Sequence, residues 1–141
     1  LSTLYVTQSI AQTIVEMGLN KWVLFFYINI FLLIAGFFLP PVAVIVMTSA
    51  ILLPIITQFG FDPYWFAIVF TINMEIGLIT PPVGLNLYII KGITPDVSLS
   101  EILKGSIPFM AMMVICIIIL CIFPEIVTWL PDKLMGKALA Y

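Results

Sequence analysis

The sequence predicts an all-α membrane protein that crosses the bilayer several times, and three observations support this prediction. The 141 residues are 63% hydrophobic and only 9% charged, whereas roughly a quarter of the residues of a soluble globular domain are charged. The apolar residues form long runs of the length that a helix needs to cross a bilayer. Paired prolines and nearby glycines interrupt these runs at two points. Together these features predict a helical hairpin and a discontinuous helix.

The first segment, residues 7–17, is predicted to be an amphipathic helix at the membrane surface. Its apolar residues recur at helical spacing, with glutamines and a glutamate between them. The chain begins at Leu1, and residues 1–6 have no signal-peptide pattern. We therefore expect a further part of the protein upstream of this segment.

Residues 22–56 are predicted to form a helical hairpin. Residues 22–39 are apolar apart from Asn29, and about 18 residues at about 1.5 Å each give roughly 27 Å, just enough to cross the hydrocarbon core. Pro40 and Pro41 end this run, because proline has no amide donor and disfavours helix in the residue before it. The second run is short for a full span. A hairpin that enters and leaves the membrane by the same face would fit this length.

Residues 64–90 are predicted to form one broken helix. About 27 residues are ample to cross a bilayer, but the middle, from Gly77 to Gly84, cannot be regular helix. The two consecutive prolines, Pro81 and Pro82, delete two amide donors, and the glycines lower the helix preference on either side. We expect two half-helices joined by an extended break at membrane depth.

The C-terminal part of the sequence predicts a short surface helix and then a final span. Ser98 or Ser100 is a candidate cap for a helix that ends near Gly105. Residues 107–123 are very apolar and form the predicted terminal transmembrane helix, facing lipid or serving as a scaffold. Residues 131–141 are polar enough for a C-terminal tail.

The composition argues against catalysis and against nucleic-acid binding. The net charge is −2, and the sequence contains no histidine and no arginine, so it lacks the basic face that nucleic acids need and the commonest general base. Cys116 and Cys121 are five residues apart in an apolar run, which is neither a redox nor a zinc spacing and predicts packing residues. No motif for hydrolysis of ATP or another substrate is present. We predict that the protein is not an enzyme and needs no cofactor.

The helix break is the segment whose chemistry suggests a function. Irregular backbone at membrane depth is tolerated only where it is buried in protein or lines a wet cavity, and its free carbonyl oxygens suit a sodium ion. Half-helix N-termini attract an anion and half-helix C-termini attract a cation. Thr80 is the only side-chain oxygen in the break, and Gly77 and Gly84 let backbone approach a ligand. This combination predicts a carrier that moves a carboxylate together with a cation.

Three polar residues flank the break. The amides of Asn73 and Asn86 are within reach of the predicted site, and the alternative for each is a hydrogen bond between helices. Glu75 is a carboxylate in an apolar helix, which indicates a functional site by default. Water entering at the break would equally allow Glu75 a structural hydrogen-bonding role.

One short pattern occurs twice. The sequence G-x-x-x-P-P-V spans residues 36–42 and residues 77–83. Either the repeated pattern arises by chance in an apolar, proline-rich sequence, or both copies are breaks in helices that approach one site.

The run from Asn73 to Tyr88 closely resembles the C-terminal signature of the large membrane subunit of TRAP (tripartite ATP-independent periplasmic) transporters. Weaker blocks support the resemblance in the same order, at residues 29–36, 51–55, 60–63 and 107–109. The resemblance implies half of an inverted-repeat, elevator-type transporter, in which the hairpin tip near Gly36 faces the helix break.

The resemblance also implies which residues form the sites. It implies a sodium site between tip and break, built largely from backbone oxygens of Gly36, Gly77 and Thr80. Beside this site, the chemistry of the break makes Thr80, Pro81, Pro82, Gly84 and Asn86 the candidate substrate-binding residues, with Asn73 and Glu75 as possible support. In many relatives an acidic residue follows the tip glycine. Here residues 37–41 contain no acid, so no carboxylate is expected at the tip.

The partners implied by the resemblance are a small membrane subunit and a periplasmic substrate-binding protein, in a bacterial inner membrane, with Na+ as the coupling ion. The implied substrates are C4-dicarboxylates, sialic acid or other organic acids, and the Asn73-Met74-Glu75 form of the signature looks like dicarboxylate-type members. Two alternatives remain: an ion-coupled anion carrier that works without a binding protein, and a channel or scaffold subunit. Polar side chains cluster around one break instead of lining several spans, which favours a carrier.

Overall fold

The computed structural model describes residues 9, 12–14 and 16–135, and this part of the chain contains no strand. From residue 21 onwards it consists of six successive α-helices. The helices are α1 (Lys21–Phe38), α2 (Pro41–Gln58), α3 (Pro63–Leu78), α4 (Leu85–Ile93), α5 (Leu99–Ile122) and α6 (Glu125–Met135). By length and composition, α1, α2 and α5 are able to cross a membrane. The prediction of an all-α polytopic membrane protein is confirmed.

The amphipathic helix predicted over residues 7–17 lies partly outside the described residues. Among the described positions, Ser9, residues 12–14 and Glu16 are helical. The Thr13 hydroxyl donates to the carbonyl of Ser9 at 2.8 Å, one helical turn earlier. The amphipathic character of the whole segment stays a prediction.

Helices α1 and α2 form a hairpin whose two arms start and finish at the same end of the molecule. Lys21, at the start of α1, lies over the ring of Phe61, which follows the end of α2, with Nζ 5.6 Å from the ring centroid. The Trp22 ring meets the same Phe61 ring edge-on at 5.7 Å. Leu39 and Pro40 join the two 18-residue arms, so the hairpin tip lies roughly 27 Å from this open end.

The core of the molecule lies mainly where α1 packs against α3. Asp62 fixes the start of α3, because its carboxylate accepts hydrogen bonds from the amides of Tyr64 at 2.8 Å and Trp65 at 3.0 Å. The apolar residues that this packing buries lie on one face of each helix. They are Leu24, Phe25, Ile28 and Leu32 of α1, and Trp65, Phe66, Val69, Phe70 and Met74 of α3.

Helix α5 runs beside α3 and then α4, and its length fixes the depth of the break between them. The indole Nε1 of Trp65 donates to the carbonyl of Leu120 at 2.7 Å, near the end of α5. Towards the start of α5, Leu103 lines the same small cavity as Leu87 of α4. Helix α5 has 24 residues, about 36 Å, against a hydrocarbon core of about 30 Å. Helix α3 has 16 residues, roughly 24 Å, which is less than this thickness, so an α3 that starts at one membrane surface would place the break inside the hydrocarbon region.

Helix α5 differs from the expectation of a surface helix followed by a separate span. Ser98 and Glu101 form a capping box at its start, but the helix continues through Gly105 and Pro108. Proline at residue 108 deprives only the Lys104 carbonyl of its helical donor. Lys104 is exposed near the start of the helix, where interfacial water is available as a replacement donor.

Candidate functional site

The hairpin tip meets the helix break through two glycines. Gly36, near the end of α1, and Gly77, near the end of α3, are both buried. A Cβ atom added to Gly77 would lie 2.8 Å from the carbonyl carbon and oxygen of Gly36. The two backbones therefore touch with no side chain between them. The first residues of the two copies of the G-x-x-x-P-P-V pattern are thus in contact, which agrees with the second interpretation of the repeated pattern.

The spacing of the prolines leaves carbonyl oxygens free at this contact. In an α-helix each carbonyl accepts a hydrogen bond from the amide four residues later. Both copies of the pattern place prolines four and five residues after the glycine, so the carbonyls of Gly36, Gly77 and the residue after each lose that donor. The Gly77 oxygen accepts a long bond of 3.4 Å from the Thr80 amide. Since a carbonyl oxygen has two lone pairs, it retains capacity for a further ligand.

The helix ends at the contact also attract a cation electrostatically. The C-terminal end of a helix carries about half a negative charge. The last turns of α1 and α3 contain no basic residue, and the Gly36–Gly77 contact brings these two ends together. In contrast, the last turn of α4 contains Lys91. Two C-terminal ends without a compensating basic residue therefore meet here, an arrangement whose charge would suit a cation.

The helices that begin at the tip and at the break lack the caps that other helices have. Neither α2 nor α4 has a side-chain hydrogen bond at its N-cap or an acidic residue in its first turn. The helices α1, α3 and α5 are capped by Asn20, Asp62 and Ser98. The first amides of a helix have no partner four residues earlier within the helix. The amides of Val44 and Leu87 bond to the carbonyls of Pro40 and Gly84, which leaves the amides of residues 42, 43, 85 and 86 for another acceptor. Those groups suit an anion.

The break itself is a tight turn, and the expectation of an extended break is wrong. The Thr80 hydroxyl donates to the carbonyl of Ile76 at 2.5 Å, and the Ile79 amide donates to the same oxygen at 3.2 Å. Gly84 then has left-handed backbone, with φ +41° and ψ 67°. A Cβ at this position would lie 3.1 Å from the backbone carbonyl oxygen of Thr80. This reversal at a glycine lets α4 begin at once and keeps part of the backbone hydrogen-bonded.

The other predicted substrate residues lie around this turn. Pro81 and Pro82 are exposed, and both line the small cavity between the break and α5. Asn86 is partly buried in the first turn of α4, beside the free amides at that helix start. The structure therefore places Thr80, Gly84 and Asn86 within one short stretch of chain.

Asn73 instead joins two helices. It is 1% exposed, and its Nδ2 donates to Oδ1 of Asn29 on α1 and to the carbonyl of Val69 at 3.1 Å. Nδ2 of Asn29 donates to the carbonyl of Phe25 at 2.7 Å. The sequence alone does not pair Asn29 with Asn73. The available signal was one isolated amide in each of two apolar helices.

This amide pair predicts a measurable coupling between α1 and α3. Asn29→Ala, Asn73→Ala and the double variant should give a coupling energy of about 0.6 kcal/mol, and no more than about 1.7 kcal/mol, in a double-mutant cycle, the average and the maximum found for interhelical hydrogen bonds in one membrane protein. Unfolding in mixed detergent micelles measures it, with Asn86→Ala as the control for loss of an amide outside this contact. Additivity within about 0.3 kcal/mol would show that the bond contributes nothing.

Glu75 does not join the other predicted residues in this structure. It is exposed, whereas Asn73 and Gly77, two residues away on either side, are buried against α1. Two residues correspond to about 200° of helix rotation, so Glu75 lies on the opposite face of α3. Its functional role stays a prediction.

A multi-span helical protein in which a hairpin tip meets a discontinuous helix within the bilayer has the architecture of a secondary transporter. Comparison with known proteins agrees with this class. Residues 1–126 match the family model described as "Tripartite ATP-independent periplasmic transporter, DctM component". The chain belongs to this family, which confirms the resemblance identified in the sequence.

Several curated relatives cover nearly the whole chain. A C4-dicarboxylate TRAP transporter large permease protein of Pseudomonas aeruginosa is 39% identical over 134 residues, 95% of this chain and 31% of the relative. An isethionate TRAP transporter permease protein of Oleidesulfovibrio alaskensis is 36% identical over 86% of this chain and 19% of its own length. A sialic acid TRAP transporter permease protein of Haemophilus influenzae is 31% identical over 92% of this chain and 21% of its own length.

The chain therefore spans less than a third of the length of each of these relatives. All three are named as permeases, which are transporters and not enzymes. The prediction that the chain is not an enzyme is confirmed.

Proposed function

We propose that the chain is part of the transmembrane subunit of a sodium-coupled transporter that imports small organic acids. The observation that supports this most directly is the arrangement of helix ends at the tip and break. Two C-terminal ends without basic residues and two N-terminal ends without caps lie at the tip and the break. A cation at the former and an acid group at the latter would each reduce the cost of placing the other in the membrane. Binding them together is the basis of coupled transport.

The proposed sodium ligands are the backbone oxygens of Gly36 and Gly77 and the hydroxyl oxygen of Thr80. Carbonyl and hydroxyl oxygens are hard ligands that suit hard cations. The hydroxyl proton of Thr80 is used in the hydrogen bond to the Ile76 carbonyl. The lone pairs of the Thr80 oxygen then remain available to Na+.

The proposed substrate is a small organic acid whose acid group binds the free amides at the start of α2 and α4. Pro81, Pro82, Gly84 and Asn86 would surround it on the side of the break. The relatives are named for C4-dicarboxylate, isethionate and sialic acid, all of which are small organic anions. We propose a C4-dicarboxylate or a similar carboxylate for this chain, in keeping with its relative in Pseudomonas aeruginosa.

The proposed partners follow from the family. The family description names a tripartite periplasmic transporter, and we propose a small membrane subunit, a periplasmic substrate-binding protein and a location in a bacterial inner membrane. We also propose that this chain supplies one of two inverted repeats that move as an elevator. The long apolar helices support the membrane location.

The test is substrate uptake by the complete transporter in proteoliposomes. Full-length permease, small subunit and loaded binding protein should accumulate radiolabelled dicarboxylate only under an inward sodium gradient. Uptake that is unchanged when potassium replaces sodium would refute the coupling. Uptake without the binding protein would favour an independent anion carrier, and single-channel current would favour a pore.

Thr80→Ala should weaken the sodium dependence of this uptake. Loss of one oxygen ligand should raise the half-saturating sodium concentration about tenfold, equivalent to about 1.4 kcal/mol, whereas Thr80→Ser should keep the wild-type value. Thr71→Ala is the matched control, since the Thr71 hydroxyl makes the same kind of bond, 2.8 Å to Ala67, on an exposed part of α3. An unaltered sodium response in Thr80→Ala would remove Thr80 from the site.

A further inference from the structure

We infer that α6 lies in the plane of the membrane surface, with one face inserted between lipid headgroups. Almost all of this helix lies beyond residue 126, where the match to the family model ends. The inference therefore concerns residues of this chain that the family assignment does not explain, and it does not depend on the proposed function.

Apart from Lys133, the side chains of α6 separate by polarity around the helix. Lys133 falls among the apolar side chains, and its ammonium lies over the Trp129 ring. The exposed apolar side chains of α6 follow the spacing i, i+3, i+4 and i+8, which puts them on one side. They are Ile126 (61% exposed), Trp129 (59%), Leu130 (53%) and Leu134 (76%). Glu125, Thr128 and Asp132 are three or four residues apart and form the opposite, polar side. A helix of this kind is typical of those that lie in a membrane interface.

The position of α6 along the molecule matches the depth of the interface. It starts three residues after Ile122, the last residue of α5, and α5 is just longer than the hydrocarbon core is thick. Trp22 and Tyr64 are exposed at the same end of the molecule, where a membrane protein has its belt of interfacial aromatic residues. With 11 residues, about 16 Å, α6 is too short to cross the membrane again.

The contacts of α6 set its orientation. Val127 packs against the apolar core, and the polar side lines an open cleft together with Lys21 and Asp62. The ammonium of Lys133 lies 4.8 Å from the centre of the Trp129 ring, an arrangement in which the ring is buried at the headgroup level and the charge reaches water.

The exposed apolar side of α6 is continuous with the exposed apolar surface at the end of α5. Ile119, Ile122 and Phe123 are 43%, 63% and 59% exposed, and in a membrane this surface faces lipid. The apolar side of α6 extends the same surface around a bend at Pro124. The apolar side of α6 therefore contacts lipid at the boundary between headgroups and acyl chains.

Cysteine accessibility in the full-length permease tests this inference. Cys116 and Cys121 are first replaced by alanine, and single cysteines are placed at Glu125, Asp132, Leu130 and Leu134. Proteoliposomes without the small subunit are treated on both sides with a membrane-impermeant maleimide. Leu130→Cys and Leu134→Cys should react at least about tenfold more slowly than Glu125→Cys and Asp132→Cys, because an apolar environment suppresses the reactive thiolate. Two reference positions set the scale of the labelling rate: Met112→Cys in the middle of α5 should react most slowly, and Asp96→Cys in a loop should react fastest.

A fluorophore on Leu130→Cys provides a second readout that does not require reactivity differences. Phospholipids brominated near the headgroup end of the acyl chain should quench it more strongly than lipids brominated near the chain end. Equal labelling around the helix, or no quenching by either lipid, would overturn the inference. Protection of Leu130→Cys that appears only when the small subunit is added would also overturn it and would identify a protein interface instead.

Discussion

Replacing Gly77 with alanine should destabilise the hairpin–break contact and strongly reduce transport. The added Cβ would lie 2.8 Å from the carbonyl carbon and oxygen of Gly36 and 3.0 Å from its Cα. These are backbone atoms that cannot move aside by changing a rotamer, so the end of α1 must shift away from α3. We expect a loss of about 1–3 kcal/mol in stability, the usual cost of overpacking, and uptake reduced by more than about tenfold, because the shift separates the proposed ligands.

Gly36→Ala is the control, because there is more room for a Cβ atom at Gly36 than at Gly77. A Cβ added to Gly36 would meet Met74 Cε at 3.4 Å and Gly77 Cα at 3.6 Å, which is ordinary van der Waals distance. Gly36→Ala should therefore fold as well as wild type, aided by up to about 1 kcal/mol of helix propensity. Gly105→Ala, with nothing within 4 Å, is a second control. Thermal unfolding in detergent and uptake are the measurements. Wild-type behaviour of Gly77→Ala would contradict the close contact.

Restoring the amide donors at the break should impair sodium binding. In Pro81→Ala/Pro82→Ala the new amides at these two positions are able to bond the carbonyls of Gly77 and Leu78, because they lie four residues later. Helix α3 should then extend and occupy the oxygens proposed to hold sodium. The half-saturating sodium concentration at saturating substrate should rise on the order of tenfold or more.

The control for this double variant is Pro54→Ala, which removes a proline from the interior of α2. That change should stabilise the helix by up to about 3 kcal/mol without changing the sodium dependence, since Pro54 lies far along α2 from the tip. A sodium response that is the same in all three proteins would show that the freed carbonyls at the break do not bind the ion.

Features governed by local chemistry could be predicted from the sequence. Proline has no amide donor wherever it occurs, so two proline pairs in apolar runs were enough to locate the turn at Pro40 and the break before Gly84. Helix α5 was divided wrongly because Gly105 and Pro108 are only weak terminators close to the membrane surface. Helix α6 was missed because the polar composition after Pro131 obscured an apolar periodicity that begins at Ile126.

The site was less predictable because it depends on how distant segments pair. The repeated pattern suggested that Gly36 and Gly77 approach each other, but only the packing of α1 on α3 determines which residues touch. The same packing pairs Asn29 with Asn73, 44 residues apart, and composition cannot fix that register. The position of Glu75 was different: rotation of about 100° per residue was sufficient to place it opposite Gly77.

The lack of capping side chains at the start of α2 and α4 has a consequence for the energetics of the whole protein. Peptide groups that find no partner within the fold destabilise it when they are shielded from water. In the proposed transporter, the substrate accepts hydrogen bonds from these amides and Na+ balances its charge. The form with both ligands bound is therefore more stable than the empty form. By linkage, a ligand at a hundred times its dissociation constant adds about 2.7 kcal/mol. The carrier would thus be most resistant to unfolding when it is occupied.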